Sequence, residues 1–145
     1  MLDLLITAYI FGNENVNYTP LDKDKMYAAI YKKIDGKTWV DRLTEADTKD
    51  DLKKIAETES HRMFATGQFD GASDDMVKIW HTMEDDKVRD AHWYLDGMKV
   101  KKDEYFYTLD GERALHPGGF NVASLDINCR CYLEYRREGA KENED

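Results

Sequence analysis

Cysteine is nearly absent from the chain: two residues in 145, Cys129 and Cys131, one position apart. Two are too few to staple a small secreted scaffold, and they point to a reducing cytoplasm. An excess of basic charge is also missing. Lys and Arg number 21 against 30 Asp and Glu, a net charge of -9, which argues against a stand-alone nucleic-acid binder, since that needs a clustered cationic surface. Any DNA contact is therefore expected to be local or supplied by a partner. Long apolar runs are lacking as well. The opening MLDLLITAYIFG is apolar for only about ten positions and carries Asp3 where a signal peptide would carry Lys or Arg, so neither a secretory signal nor a membrane span is expected. Without a signal, Asn17-Tyr18-Thr19 is a chance match to a glycosylation acceptor. There is no internal repeat, no serine-centred elbow, no glycine-rich phosphate loop and no His-Glu-x-x-His.

What is present suits one domain with a real core, since 41% of residues are apolar and 12% aromatic. Met26, Tyr27, Ile30, Tyr31 and Ile34 recur at helical spacing and predict a helix over 21–34, ended by Gly36. A short helix is expected at 37–43. A stronger one begins at Asp47 or Thr48 and carries Leu52, Ile55, Ala56, Glu59, Met63 and Phe64 along one face. Glu59 is thus an acid on an apolar stripe, either reaching solvent at its edge or pointing inward with a partner, because a lone buried carboxylate is too costly. The two glycines of GQFDGAS, 67–73, break the helical pattern and mark a hinge.

Beyond that point the period shortens. MVKIWHTM, 76–83, alternates Val77, Ile79 and His81 against Met76, Lys78 and Trp80, as in a strand with both faces partly covered. A polar turn leads through a short helical or irregular segment to Asp96-Gly97, a tight-turn signal, as is Asp110-Gly111. MKV and EYFYTL read as short strands, 114–126 as loop, and a last strand starts near Asn128. The expected fold class is α+β, a helical region at 1–70 packed on a small antiparallel sheet in a Cys/His module at 71–137. Residues 138–145 are expected to form a disordered acidic tail.

In that last strand Cys129 and Cys131 share a face with Leu133 and Tyr135, while Arg130, Tyr132, Glu134 and Arg136 take the other. A disulfide between the two is disfavoured, since residues two apart in a strand have Cα atoms roughly 6.5 Å apart. Two readings stay open. The cysteines fill core space as small apolar residues, or they bind zinc with two further ligands, for which the second half offers His81, His92 and His116. His92 and His116 sit where the backbone bends toward a site. Arg89, Asp90, His92 and Asp96 form a charged cluster that could hold a general acid or base, although such clusters are usually turn caps and salt bridges.

Taken in order, AETESHRMFATGQFDGA, WHTMEDDKVRDAHWYLDG, DEYF and HPGGFNVASLDINCRCYL resemble the phage Mu F-like minor head proteins, also called phage head morphogenesis proteins. With KIDGKTWVDRL the similarity runs from about residue 32 to 135. The ordered set is more specific than any one piece. The resemblance implies a structural component of the virion head, present in the host cytoplasm during assembly, with portal and capsid proteins as partners and no membrane association. It also implies residue roles. Some relatives have Cys-x-x-Cys where this chain has Arg89-Asp90-Ala91-His92, which makes His92 a surviving zinc-ligand position beside Cys129 and Cys131, and Arg89 a non-ligand. His116 is the fourth candidate. Glu59 matches a Thr-Glu pair and is expected to point inward, paired with Arg89 or Arg130, in a polar network that includes Asp96 and Asn128. The alternatives are a nuclease- or toxin-type enzyme, because such modules are fused to toxin domains in related proteins, and a zinc-stabilised binding module without a virion role.

Overall fold

The computed structural model describes residues 1–82, 90–120 and 131–137. Among the described residues, five helices and five short strands follow one another: α1 Leu2–Val16, α2 Lys23–Ile30, α3 Trp39–Glu45, α4 Lys49–Gly71, β1 Met76–His81, α5 Asp90–Leu95, β2 Lys99–Lys101, β3 Phe106–Tyr107, β4 Arg113–Ala114 and β5 Tyr132–Arg137. The first half is helical and the second holds a small antiparallel sheet, as the change of period predicts. Local chemistry fixes the helix starts. The Asp22 carboxylate accepts from the Asp24 amide at 2.9 Å, Thr38 and Asp41 form a reciprocal capping box, and Thr48 Oγ1 accepts from the Asp51 amide at 3.1 Å.

Three boundaries differ from the sequence-based expectation, and one helix was not expected. The helix expected over 21–34 ends at Ile30, because Asp35 and Gly36 both take positive φ, 53° and 78°, and close a tight turn bridged by Ile34 and Lys37. The short helix expected at 37–43 is α3, shifted to Trp39–Glu45 behind its Thr38 cap. The expected break at 67–73 falls at its far end: α4 runs through Gly67 and stops at Gly71, capped by Ala72. Its glycines are packing positions. A Cβ on Gly67 would strike the Tyr9 carbonyl oxygen, and one on Gly12 the Phe64 carbonyl oxygen, so α1 and α4 cross with their backbones almost in contact. Finally, α1 itself was not legible as a helix, since its apolar residues show no clear stripe. The expected strand start at Asn128 and the acidic tail lie outside the described residues.

The interior has two parts. Leu5, Tyr9, Met26, Ile30, Trp39 and Met63 pack among the helices, and Trp80, Leu95, Phe106, Ala114, Phe120, Cys131 and Leu133 pack under the sheet. The C-terminal half of α4 joins them. On α4 the predicted stripe is buried only from Glu59 onward; Leu52 is exposed and Ile55 partly so. The sheet order is β2-β1-β5, with β1 antiparallel to both neighbours and Trp80 opposite Leu133. β3 and β4 pair separately as a hairpin.

Candidate functional site

α5 and the segment entering β5 bring two of the sequence-predicted residues together. His92, on α5, is 1% exposed and Cys131 is 2% exposed, and the His92 Nδ1 lies 3.5 Å from the Cys131 Sγ. Phe120 stacks on the imidazole at 6.0 Å with the rings 15° apart, and Trp80 meets its edge at 6.0 Å. Asp96 explains why α5 sits there. Its Oδ1 accepts from the Thr82 amide at 2.9 Å and from the Thr82 hydroxyl at 3.2 Å, while Gly97 N–H donates to the Trp80 carbonyl at 2.8 Å. These bonds tie the end of α5 to the end of β1, so Asp96 serves as a cap. Cys131 and Leu133 are buried and Tyr132 is exposed, which matches the predicted faces.

His116 has a different environment. Its Nδ1 lies 2.8 Å from the Pro117 carbonyl oxygen and therefore carries the proton that bond needs, its Nε2 lies 3.3 Å from Thr66 Oγ1, and its ring tilts against Phe69. Burial pushes its pKa down to about 4, so the ring is neutral near pH 7. The Thr66 hydroxyl already donates to the Arg62 carbonyl at 2.8 Å, so Nε2 keeps its lone pair where it faces Thr66.

Glu59 points inward, as the family resemblance implies, but its partner is Arg62. Arg62 Nε and Nη2 donate to the two carboxylate oxygens at 3.1 and 3.2 Å, with both side chains buried. Nη1 donates to the Ala29 carbonyl at 3.1 Å, and Gly118 lies directly on the Arg62 stem. The pair thus joins α2, α4 and the Pro117-Gly118 turn. Its i, i+3 spacing within ESHR was the sequence signal for it. Arg89, Asn128, Arg130 and Cys129, the remaining predicted residues, lie outside the described residues.

A second buried cation also escaped sequence reasoning. Lys78 is fully buried; its Nζ donates to the Leu115 carbonyl at 2.7 Å and sits 5.2 Å from the centroids of both Phe69 and Phe106. Desolvation pulls its pKa down to about 7. Lys102 approaches the same Phe69 ring at 4.8 Å and donates to the Ala72 carbonyl. The signal was its alternation in phase with Met76 and Trp80. Among the described residues, no three His, Cys, Asp or Glu side chains form a group able to hold a metal ion, and no helix is long and apolar enough to cross a membrane.

Comparison with known proteins bears on this arrangement. The profile of a family described as "Phage Mu protein F like protein" matches residues 23–134. The chain is 36% identical over 119 residues to a protein of Enterococcus faecalis named NAD(+)–arginine ADP-ribosyltransferase EFV, covering 78% of this chain and 23% of that protein. It is 35% identical over 89 residues to Minor head protein GP7 of Bacillus phage SPP1, covering 58% of this chain and 29% of that protein. The chain thus spans about a quarter of the length of these curated relatives. No solved structure gives a significant match.

Proposed function

Because the chain belongs to the phage Mu F-like protein family, we propose that it is a structural minor head protein of a tailed bacteriophage, acting in head morphogenesis in association with the portal. The observation that carries this reading is the family match across 23–134, which takes in both halves of the fold and the segment from Glu59 to Leu133. The match to a phage minor head protein supports it. The match to a protein named as a transferase is compatible with this reading. In a chain of 145 residues, alignments of 119 and 89 residues must overlap, so what this chain shares with the two relatives is largely one module. That module is less than a quarter of the transferase-named protein. The described interior supports the same reading, since Glu59, Arg62, His92 and Asp96 are bound up in packing and caps. The partners are portal and capsid subunits, and the location is the virion head after assembly in the host cytoplasm. Co-expression with the portal protein tests this. The two should co-purify at high salt, and complete separation with both proteins folded contradicts portal association.

A second reading, zinc binding, rests on one distance. Tetrahedral Zn–N and Zn–S bonds hold their ligand atoms about 3.6 Å apart, and His92 Nδ1 and Cys131 Sγ are 3.5 Å apart. A thiolate and an imidazole are the donors zinc prefers. His92 and Cys131, with Cys129 as the third ligand, would hold the ion, which would cross-link α5 to the entry of β5. A thiol–imidazole hydrogen bond spans the same distance, and metal content separates the two. Protein purified without metal-affinity steps should carry close to one zinc, lost in Cys131→Ser; metal-free, folded protein overturns this reading.

A further inference from the structure

Among the described residues β5 is an edge strand, since the sheet order is β2-β1-β5 and no described strand lies on its outer side. The hydrogen bonds of β1 show which of its backbone groups are left over. Trp80 N–H donates to Met98, Trp80 accepts from Gly97, and Met76 accepts from Lys102, so the even-numbered residues of β1 turn their backbone groups toward β2. Its odd-numbered residues therefore bond to β5 through Tyr132, Glu134 and Arg136, their partners in register. The N–H and C=O groups of Leu133, Tyr135 and Arg137 face outward. The Gln68 amide supports this phase, reaching the Leu133 carbonyl from outside at a long 3.4 Å.

A groove of about 680 Å³ runs along this edge, walled by Asn15, Val16, Tyr18, Phe64 and Gln68. The opposite edge, β2, is short and guarded by two exposed lysines, Lys99 and Lys101, the usual protection against strand addition. β5 carries no such single-sign guard. Its outer face presents Glu134 and Arg136, which meet at 2.6 Å within the strand. This pattern is self-complementary. If β5 meets a second β5 antiparallel about Tyr135, Tyr135 lies opposite its own copy, Leu133 opposite Arg137, and Glu134 opposite Arg136. The outward backbone groups then coincide in both strands, and both cross-strand charge pairs are of opposite sign.

We propose that the occupant of this edge is a second copy of the chain, the two β5 strands pairing antiparallel about Tyr135 into one continuous sheet. The incoming strand lies along the groove with its Leu133 and Tyr135 side chains still packed in their own protomer, and the Gln68 amide gives up its long bond to Leu133. An isologous contact of this kind closes on itself and does not propagate. The pairing goes beyond the head-protein reading and does not depend on it.

Sedimentation equilibrium of the full chain and two charge variants tests it. The unaltered chain is expected to dimerise below about 100 μM. Arg136→Glu places Glu134 opposite a glutamate and Glu134→Arg places Arg136 opposite an arginine, so each variant alone should dimerise at least about tenfold more weakly. Mixing the two variants should restore a heterodimer, because every cross-strand pair is then again of opposite sign. A chain that stays monomeric throughout overturns the proposal. So does a dimer indifferent to both reversals, since its contact lies elsewhere.

Discussion

Arg62 grips both carboxylate oxygens of Glu59, and a third nitrogen of the same guanidinium holds the last carbonyl region of α2 through Ala29. Both side chains are buried, so neither charge has water to fall back on if its partner is removed. Glu59→Ala should therefore cost about 3 kcal/mol or more, because a buried uncompensated guanidinium remains. Urea unfolding measures it. Replacing both partners, Glu59→Leu with Arg62→Met, should recover much of the loss; a double variant as unstable as the single one contradicts this account.

The close crossing of α1 and α4 gives a second prediction. Gly67→Ala would gain up to about 1 kcal/mol of helix propensity at an open position. Here the added methyl meets the Tyr9 backbone carbonyl, which cannot step aside as a side-chain tip can. The clash should win, lowering stability by about 2 kcal/mol, read as a fall in melting temperature. Gly36→Ala has space for its methyl but keeps a φ of 78°, so it should act through backbone strain alone and leave the α1–α4 contact intact.

Lys78 predicts a pH dependence. Its folded pKa is lowered to about 7 against 10.5 unfolded, so between these values the unfolded chain binds the extra proton. Stability must then rise with pH from 7 upward, by at most about 1.4 kcal/mol per unit. Unfolding midpoints at pH 7, 8 and 9 should climb in the unaltered protein and flatten in Lys78→Met, which should also be the more stable at pH 7. His116 works at the other end. Its folded pKa is lowered to about 4, so stability is full above the unfolded value near 6.5 and falls as pH drops toward 4. His116→Gln should remove that fall.

Much of this was legible where one physical signal dominated. The alternation at 76–81 predicted β1 and its two covered faces, whereas the period of α4 left Glu59 open between the solvent edge and the interior, and only the family resemblance pointed it inward. The inward face of Cys131 and Leu133 followed from strand geometry alone. The rest was hidden for specific reasons. α1 is apolar on most sides, so no stripe distinguished it, and Leu4 and Phe11 remain exposed. Gly67 looks like a break until a second helix is there to need it. Arg62 was overlooked because an arginine beside an apolar stripe is ordinarily a solvated edge residue, and its buried role depends on Ala29 and Gly118, far away in sequence. Lys78 hid in the same way, since only folding brings Phe69, Phe106 and the Leu115 carbonyl around it.

The central claim is that this chain is a part of the phage head. Quantitative mass spectrometry of purified virions of the phage that encodes it tests that most directly, with emptied heads analysed beside intact particles. The protein should be present in a few copies per virion, in fixed ratio to the portal, and absent from isolated tails. Its absence from virions, while the infected cell makes it in full, would contradict the account.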